Sequence, residues 1–123
     1  MLKKVAFTMY PVSDIARAIQ FYERNLGLKP TKQFAHDSGG KWVEYDLPQG
    51  GCFAITTMAE GVKPSSNSGG SIAFEVEDLD KLTTKLKSNG VKFKFDTLET
   101  PVCRMCVIID SEGNAVTLHQ LKR

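Results

Sequence analysis

The fold of this sequence is decided by one stretch, Pro11-Val-Ser-Asp-Ile-Ala-Arg-Ala-Ile-Gln-Phe-Tyr-Glu-Arg-Asn-Leu-Gly-Leu28. Its apolar residues recur at the spacing of a single helix face: Ile15, Ala18, Ile19, Tyr22 and Leu26. This spacing predicts a helix over about residues 14–25. Ser13 or Asp14 supplies an oxygen that can cap its first amides, and Gly27 ends it.

Short apolar and β-branched runs on both sides of this helix predict strands. One run, residues 5–10, precedes it, and three follow it at 31–35, 41–47 and 52–57. Glycine-rich breaks at 37–40 and 48–51 separate the three and are typical of hairpin turns. The first half of the chain therefore has the order strand, helix and three strands.

The second half of the chain repeats this order. Residues 71–76, 91–95, 102–109 and 115–121 predict strands, and Asp78 caps a helix that Gly90 stops. A shift of roughly 64 residues places Val12 on Val76 and Asp14 on Asp78. Between the halves, residues 61–70 are rich in Gly, Ser and Pro and predict a flexible linker.

The duplication indicates an α+β fold made of two βαβββ modules in tandem. We expect module 1 at about 1–60, the linker at about 61–70 and module 2 at about 71–123, together forming one domain of 123 residues. Each module has one helix, which covers one face of its sheet. The expected architecture is a curved mixed sheet around a cleft, with the helices outside.

Composition and charge exclude several classes of protein. A net charge of +2 from 16 basic and 14 acidic residues indicates no basic face for nucleic acid. No apolar run resembles a signal peptide or a membrane span. The three cysteines are an odd number, which favours a reduced cytoplasmic protein. Cys103 and Cys106 lie three apart on a predicted strand and so face opposite sides, which favours packed thiols over a zinc or redox pair.

Strand alternation sorts the residues that should face the cleft. The set from the strands that open and close the modules is Phe7, Met9, Cys52, Ala54, Thr56, Ser71, Glu75, Thr117 and His119. Trp42 and Tyr45, on a neighbouring strand, are candidate wall residues. The set is mostly apolar with a few polar groups, as in a small-molecule pocket. Phe7 and Met9 have an alternative interpretation as packing residues, which we favour.

Three segments resemble one known family. Residues 11–28 resemble the first helix signature of the vicinal oxygen chelate superfamily, which includes glyoxalase I, extradiol dioxygenases, fosfomycin-resistance enzymes and bleomycin-binding proteins. Ser71-Ile-Ala-Phe-Glu-Val-Glu-Asp-Leu-Asp80 resembles the opening of its second module, and Asp110-Ser-Glu-Gly-Asn-Ala-Val-Thr-Leu118 resembles its closing hairpin. These are scaffold motifs, so the resemblance implies the fold and no particular reaction.

The resemblance also implies where a metal would be held. The metalloenzymes of the family use His, Gln and Glu, and the corresponding positions here are Phe7, Ala54, Ser71 and Thr117. Two of these side chains have no donor atom, and neutral hydroxyls are weak ligands. We therefore expect no family-type metal site and no other cofactor.

Glu75 and His119 are the cleft candidates for proton transfer. A carboxylate beside the imidazole would favour the imidazolium form, and such a pair could act on a bound carbonyl compound. The alternative is that both are solvated residues near strand ends. His36 precedes a turn and should be exposed.

Three functions stay open at this point. The first is a protein that binds a small organic molecule without a family-type metal. The second is a glyoxalase-like lyase or isomerase acting on a small carbonyl compound, and the third is a non-catalytic regulatory or interaction module. The resemblance further implies a homodimer, whether the modules pair within one chain or exchange between two.

Overall fold

The computed structural model describes residues 1–122, which form two compact units, the first ending at Pro64 and the second beginning at Ser65. The elements of the first unit are β1 (Thr8–Pro11), α1 (Ile15–Leu26), β2 (Lys32–Ala35), β3 (Lys41–Asp46) and β4 (Cys52–Thr56). Its sheet has the order β1-β4-β3-β2. The β1–β4 pair is parallel and the other pairs are antiparallel.

The second unit repeats this arrangement. Its elements are β5 (Ile72–Glu75), α2 (Leu79–Ser88), β6 (Lys92–Glu99), β7 (Cys103–Ile109) and β8 (Ala115–Leu121). The strand order is β5-β8-β7-β6, again with its first and last strands parallel. The predicted α+β fold with two βαβββ modules is confirmed.

The registers of the parallel strand pairs in the two units correspond residue by residue. Met9 pairs with Ala54 in the first unit, and Ala73 pairs with Thr117 in the second. The sequence repeat places Met9 on Ala73 and Ala54 on Thr117, so the two pairs are equivalent. The duplication therefore extends from element order to register.

Both helices begin at the predicted caps. The carboxylate of Asp14 accepts the backbone N–H of Arg17 at 3.1 Å, and that of Asp78 accepts the N–H of Lys81 at 3.0 Å. Gly27 follows α1 with a φ of 67°, a left-handed conformation that glycine adopts without strain. An aspartate cap of this kind contributes about 1 kcal/mol to helix stability.

The core of the first unit lies between α1 and one face of its sheet. Tyr22, Tyr45 and Phe53 are fully buried there, with ring centroids 5.0 Å apart for Tyr22–Phe53 and 5.9 Å for Tyr45–Phe53. The prediction that Tyr45 is a wall residue of the cleft is wrong. Alternation along β3 places its ring on the helix side, where the aromatic cluster buries it.

The core of the second unit is aliphatic. Leu79 and Leu86 of α2 are buried, as are the residues of β7 and β8 that point to the same side: Cys106, Ile108, Val116 and Leu118. Cys103 is also buried, and none of the three cysteines forms a disulfide. The interpretation of Cys103 and Cys106 as packed thiols is confirmed.

The stretch predicted as a flexible linker is anchored in its second half. The Asn114 side-chain oxygen accepts the N–H of Ser65 at 3.1 Å, and the Lys94 ammonium donates to the Ser66 carbonyl and, at 2.9 Å, to the Asn67 side chain. Composition did not indicate these bonds because their partners lie far along the chain. Residues 65–67 therefore belong to the second unit.

The first strand of each half is shorter than predicted, and β6 is longer. β1 begins at Thr8, so Val5 and Phe7 precede it. β6 runs on to Glu99 through two register shifts against β7, between Phe93 and Phe95 and between Phe95 and Leu98. Such irregularities are β-bulges, and each changes the face to which the following side chain points.

The Tyr45 hydroxyl is buried without a hydrogen-bond partner in the described structure. Burial, with a smaller contribution from Glu23, raises the Tyr45 pKa from 10.0 to about 12. We expect Tyr45→Phe to raise the free energy of unfolding by about 1 kcal/mol, because it removes an unsatisfied polar group. Urea denaturation at pH 7 measures this, with Phe53→Ala as a contrast that loses about 3–5 kcal/mol.

The same substitution changes the pH dependence of stability. Because the folded pKa lies above the unfolded one, the wild-type protein loses stability as the pH rises from 10 towards 12. Tyr45→Phe removes that part of the loss. A destabilised variant at neutral pH would contradict the assignment of an unpartnered hydroxyl.

Candidate functional site

In each unit the helix covers one face of the sheet, and we call the opposite face the open face. In the second unit this open face presents Ser71, Ala73 and Glu75 from the β5 segment, beside Ala115, Thr117 and His119 of β8. The register supports this, since Ala73 pairs with Thr117 and Glu75 with His119. The predicted sorting of residues by strand alternation is correct for β5 and β8.

A pocket of about 350 Å³ lies on the open face of the second sheet. The linker residues 66–68 form one side of it. Its other lining residues are Ser71, Lys94, Phe95, Val107, Ala115 and Thr117. Two of the predicted cleft residues, Ser71 and Thr117, are thus brought to one pocket.

Lys94 and Phe95 were not among the predicted site residues. Strict alternation along β6 would place Phe95 with Phe93, which lies near the Lys87 ammonium of α2 on the helix side. The register shift between Phe93 and Phe95 instead pairs Phe95 with Val107 of the open face. Two consecutive Lys-Phe pairs at 92–95 carry no sign of this bulge, so the sequence offered no signal for it.

Glu75 and His119 form a close pair beside this pocket. The Nδ1 atom of His119 lies 2.5 Å from Oε1 of Glu75, and the other carboxylate oxygen accepts the Leu121 N–H at 2.9 Å. The His119 side chain keeps 25% of its surface exposed and the Glu75 side chain keeps 50%. The two residues therefore face each other, as the acid–base hypothesis requires, and the backbone bond holds the carboxylate in place.

The open face of the first sheet carries aromatic side chains. Phe7 packs edge-on against Trp42 with ring centroids 5.1 Å apart, and Phe34 pairs with Trp42 across the strands. The Trp42 indole donates to Glu44 at 2.8 Å. Phe7 lies outside β1 and keeps 45% of its surface exposed. The interpretation of Phe7 as a core-packing residue is therefore wrong.

Two predicted cleft residues of β4 are buried. Ala54 has no exposed surface, and the Thr56 hydroxyl donates to the Lys41 carbonyl and accepts the Met58 N–H, both at 2.8 Å. Neither is placed to contact a ligand, because Ala54 has no exposed surface and the hydroxyl of Thr56 is bonded to the backbone. Met9 and Cys52, on the same face, are half-buried.

The thiols have no feature of a reactive site. Burial raises the pKa of Cys106 to about 11, with a smaller contribution from Asp96. Burial, followed by Glu44 and Asp46, also raises the pKa of Cys52. A raised pKa disfavours the thiolate, which is the nucleophilic form.

A second concavity of about 550 Å³ lies at the β2–β3 hairpin of the first unit. His36 lines it and is exposed, as predicted. Its Nδ1 atom accepts the Ser38 N–H at 3.1 Å and lies 2.9 Å from the Ser38 hydroxyl. The imidazole of His36 therefore contacts Ser38 within its own turn.

The family described as the Glyoxalase/Bleomycin resistance protein/Dioxygenase superfamily matches residues 4–118 of this sequence. The chain belongs to this superfamily. Among curated proteins it is similar to the uncharacterised protein YetH of Bacillus subtilis (strain 168), with 25% identity over 121 residues, covering 98% of this chain and 100% of YetH.

Solved structures of the superfamily share the fold. A glyoxylase/bleomycin resistance protein/dioxygenase domain from Frankia sp. EAN1pec has a TM-score of 0.79 at 20% identity, covering 100% of this chain and 95% of that one. The trypanothione-dependent glyoxalase I of Leishmania major has a TM-score of 0.78 at 21% identity, covering 97% and 87%. At these identities the likeness shows the fold alone.

The superfamily's metal does not fit the residues of this member. The four positions that the resemblance assigns to metal ligands are Phe7 and Ala54 in the first unit and Ser71 and Thr117 in the second, and the only donor atoms among these side chains are the hydroxyls of Ser71 and Thr117. Within residues 1–122, no group of three or more His, Cys, Asp and Glu side chains is placed to hold a metal ion. Over the same residues, no helix is long and apolar enough to cross a membrane.

We expect divalent metals to leave the stability of this superfamily member unchanged. Zn²⁺, Ni²⁺, Mn²⁺ or Fe²⁺ bound to the native state would raise the Tm by mass action. Thermal melts of protein purified without a His-tag and treated with EDTA, before and after each metal is added, measure this. A metal that copurifies at one equivalent per chain would contradict the expectation.

Proposed function

We propose that this protein binds a small organic molecule on the open face of its second sheet, without a family-type metal. The observation that carries the proposal is the pocket bounded by Ser71, Thr117, Phe95 and Val107. It combines apolar side chains with a few hydroxyls and one ammonium, the usual composition of a small-molecule pocket.

The first unit carries exposed aromatic residues of its own. Phe34 keeps 58% of its surface exposed, and Phe7 lies against Trp42 on the same open face. Aromatic rings contribute large apolar contact areas to organic ligands. The open face of the first unit therefore also presents apolar surface.

The pocket itself can be blocked by one substitution. We expect at least one compound of a panel of α-ketoaldehydes, antibiotics and aromatic acids to raise the Tm progressively with its concentration. The stabilisation should be about 2.7 kcal/mol at one hundred times its Kd. Ser71→Trp, at the exposed rim, should abolish the shift by filling the pocket. A fluorescence-detected thermal melt measures both.

Ser88→Trp is the matched control for this experiment. Ser88 is exposed at the end of α2 and lies outside the pocket. The Ser88→Trp variant should show the same ligand-induced rise in Tm as the wild-type protein. A shift that survives Ser71→Trp would place the ligand elsewhere, and a panel without any shift would favour the regulatory or interaction module.

A second candidate function is a lyase or isomerase acting on a small carbonyl compound. The 2.5 Å contact between Glu75 and His119 favours it. With Nδ1 bound to the carboxylate, Nε2 of His119 is the ring nitrogen that could remove a proton from a carbon next to a carbonyl. Glu75 would orient the ring and stabilise the imidazolium that forms.

This candidate predicts exchange of the proton that such an enzyme removes. We expect the protein to catalyse deuterium incorporation from D₂O into α-ketoaldehydes or their thiol hemithioacetals, followed by NMR. His119→Gln should slow the exchange by roughly 100-fold or more. His36→Gln, which changes the other histidine of the chain, is the control and should retain the rate; equal rates in both variants would exclude this role.

The homodimer and the cytoplasmic location stay predictions from the sequence. Light scattering at micromolar protein concentration tests the first.

A further inference from the structure

We propose that the ligand of the second-unit pocket is an anion, a carboxylate or a phosphoryl group on an apolar body, and that Lys94 binds its charge. The inference rests on the proposed function, because it names the ligand class of the same pocket. It follows from the charges, hydroxyls and apolar side chains that the pocket brings together.

The charge of the pocket is positive. Among its described lining residues, Lys94 is the one charged side chain, and no carboxylate lines it. The Lys94 ammonium donates to two neutral oxygens, the Ser66 carbonyl and the Asn67 side chain, and it forms no ion pair within the described residues. An ammonium without a counterion at the edge of a pocket favours an anionic ligand.

The carboxylate of Glu75, on the same face of the sheet, already has its partners. Glu75 binds the His119 ring through one oxygen and the Leu121 N–H through the other. Its negative charge is therefore directed towards the imidazole. This arrangement leaves the Lys94 end of the pocket without a competing carboxylate.

Hydroxyl groups complete the polar side of the pocket. Ser71 and Thr117 both line this pocket, on β5's leading segment and on β8. A hydroxyl donates a hydrogen bond to a carboxylate or phosphoryl oxygen as readily as it accepts one. The pocket therefore offers hydroxyl donors and an ammonium, and both kinds of group bind a negatively charged oxygen.

The apolar side of the pocket indicates what the anion is attached to. Phe95 and Val107 pair across β6 and β7, and Ala115 lies beside them. The β-bulge before Phe95 brings its ring to this face, next to the residue that carries the charge. A volume of about 350 Å³ accommodates a ring-sized apolar group together with its anionic substituent.

A pair of probes that differ in charge tests the inference. Phenylacetate and phenylacetamide have nearly the same shape, so the affinity difference between them reports the charge contact. We expect the wild-type protein to bind phenylacetate more tightly, and Lys94→Met to reduce the affinity for phenylacetate roughly five-fold with little effect on phenylacetamide. Calorimetric titration of each protein with each probe measures this.

Two control variants separate the charge from its surroundings. Lys92→Met makes the same change of net charge on the same strand but outside the pocket, and it should keep the preference for the anion. Lys85→Met, on the exposed surface of α2 and outside the pocket, removes the same charge from another element, and it should keep the preference as well. Phenylphosphonate in place of phenylacetate shows whether a phosphoryl-type group binds better than a carboxylate.

The outcomes distinguish this inference from the proposed function. Equal affinity of the wild-type protein for both probes, or loss of the preference in Lys92→Met, overturns the anionic ligand while small-molecule binding stands. If neither probe nor any compound of the wider panel binds, both fail. A preference that is lost in Lys94→Met and kept in both controls supports the inference.

Discussion

The parallel pairing of the first and last strands is the constraint on which each unit depends. Parallel neighbours cannot be joined by a hairpin, so the chain between them must cross one face of the sheet, and it does so as a helix. That helix buries one face against the aromatic cluster of the first unit or the aliphatic cluster of the second. The other face is left open, and the candidate site residues lie there.

Because this arrangement is duplicated, each position on the open face of the first unit has an equivalent position in the second. The same register places Met9 beside Ala54 and Ala73 beside Thr117. What differs between the units is the side chains on the open faces. The first unit presents aromatic rings there, whereas the second presents hydroxyls, an ammonium and a carboxylate–imidazole pair. The two units thus share one scaffold and differ in the side chains that it presents.

The polar groups of the second unit are positioned by backbone contacts. The Leu121 N–H holds the carboxylate of Glu75, and the carbonyl of Ser66 holds the ammonium of Lys94. Asn114 in turn binds the N–H of Ser65, so the closing hairpin and the linker segment are connected. The side chains of the pocket and the segment that borders it therefore depend on each other.

The sequence by itself determined the elements, their order and the duplication. Helical spacing, the Asp14 and Asp78 caps and the alternation along β5 and β8 are local patterns, and each was read correctly from neighbouring residues. The pairing of Glu75 with His119 could be proposed because the repeat places both residues on one face. Their separation of 2.5 Å needed the structure, since it depends on register and side-chain conformation.

Only the tertiary structure decided which residues line the pocket. The bulge in β6 brings Phe95 to the open face, and long-range bonds to Lys94 and Asn114 hold the linker against the second unit. Tyr45 was assigned to the wrong face, and Ala54 and Thr56 proved to be buried. In each case the deciding contact joins residues distant in the chain, and strand periodicity does not contain that information.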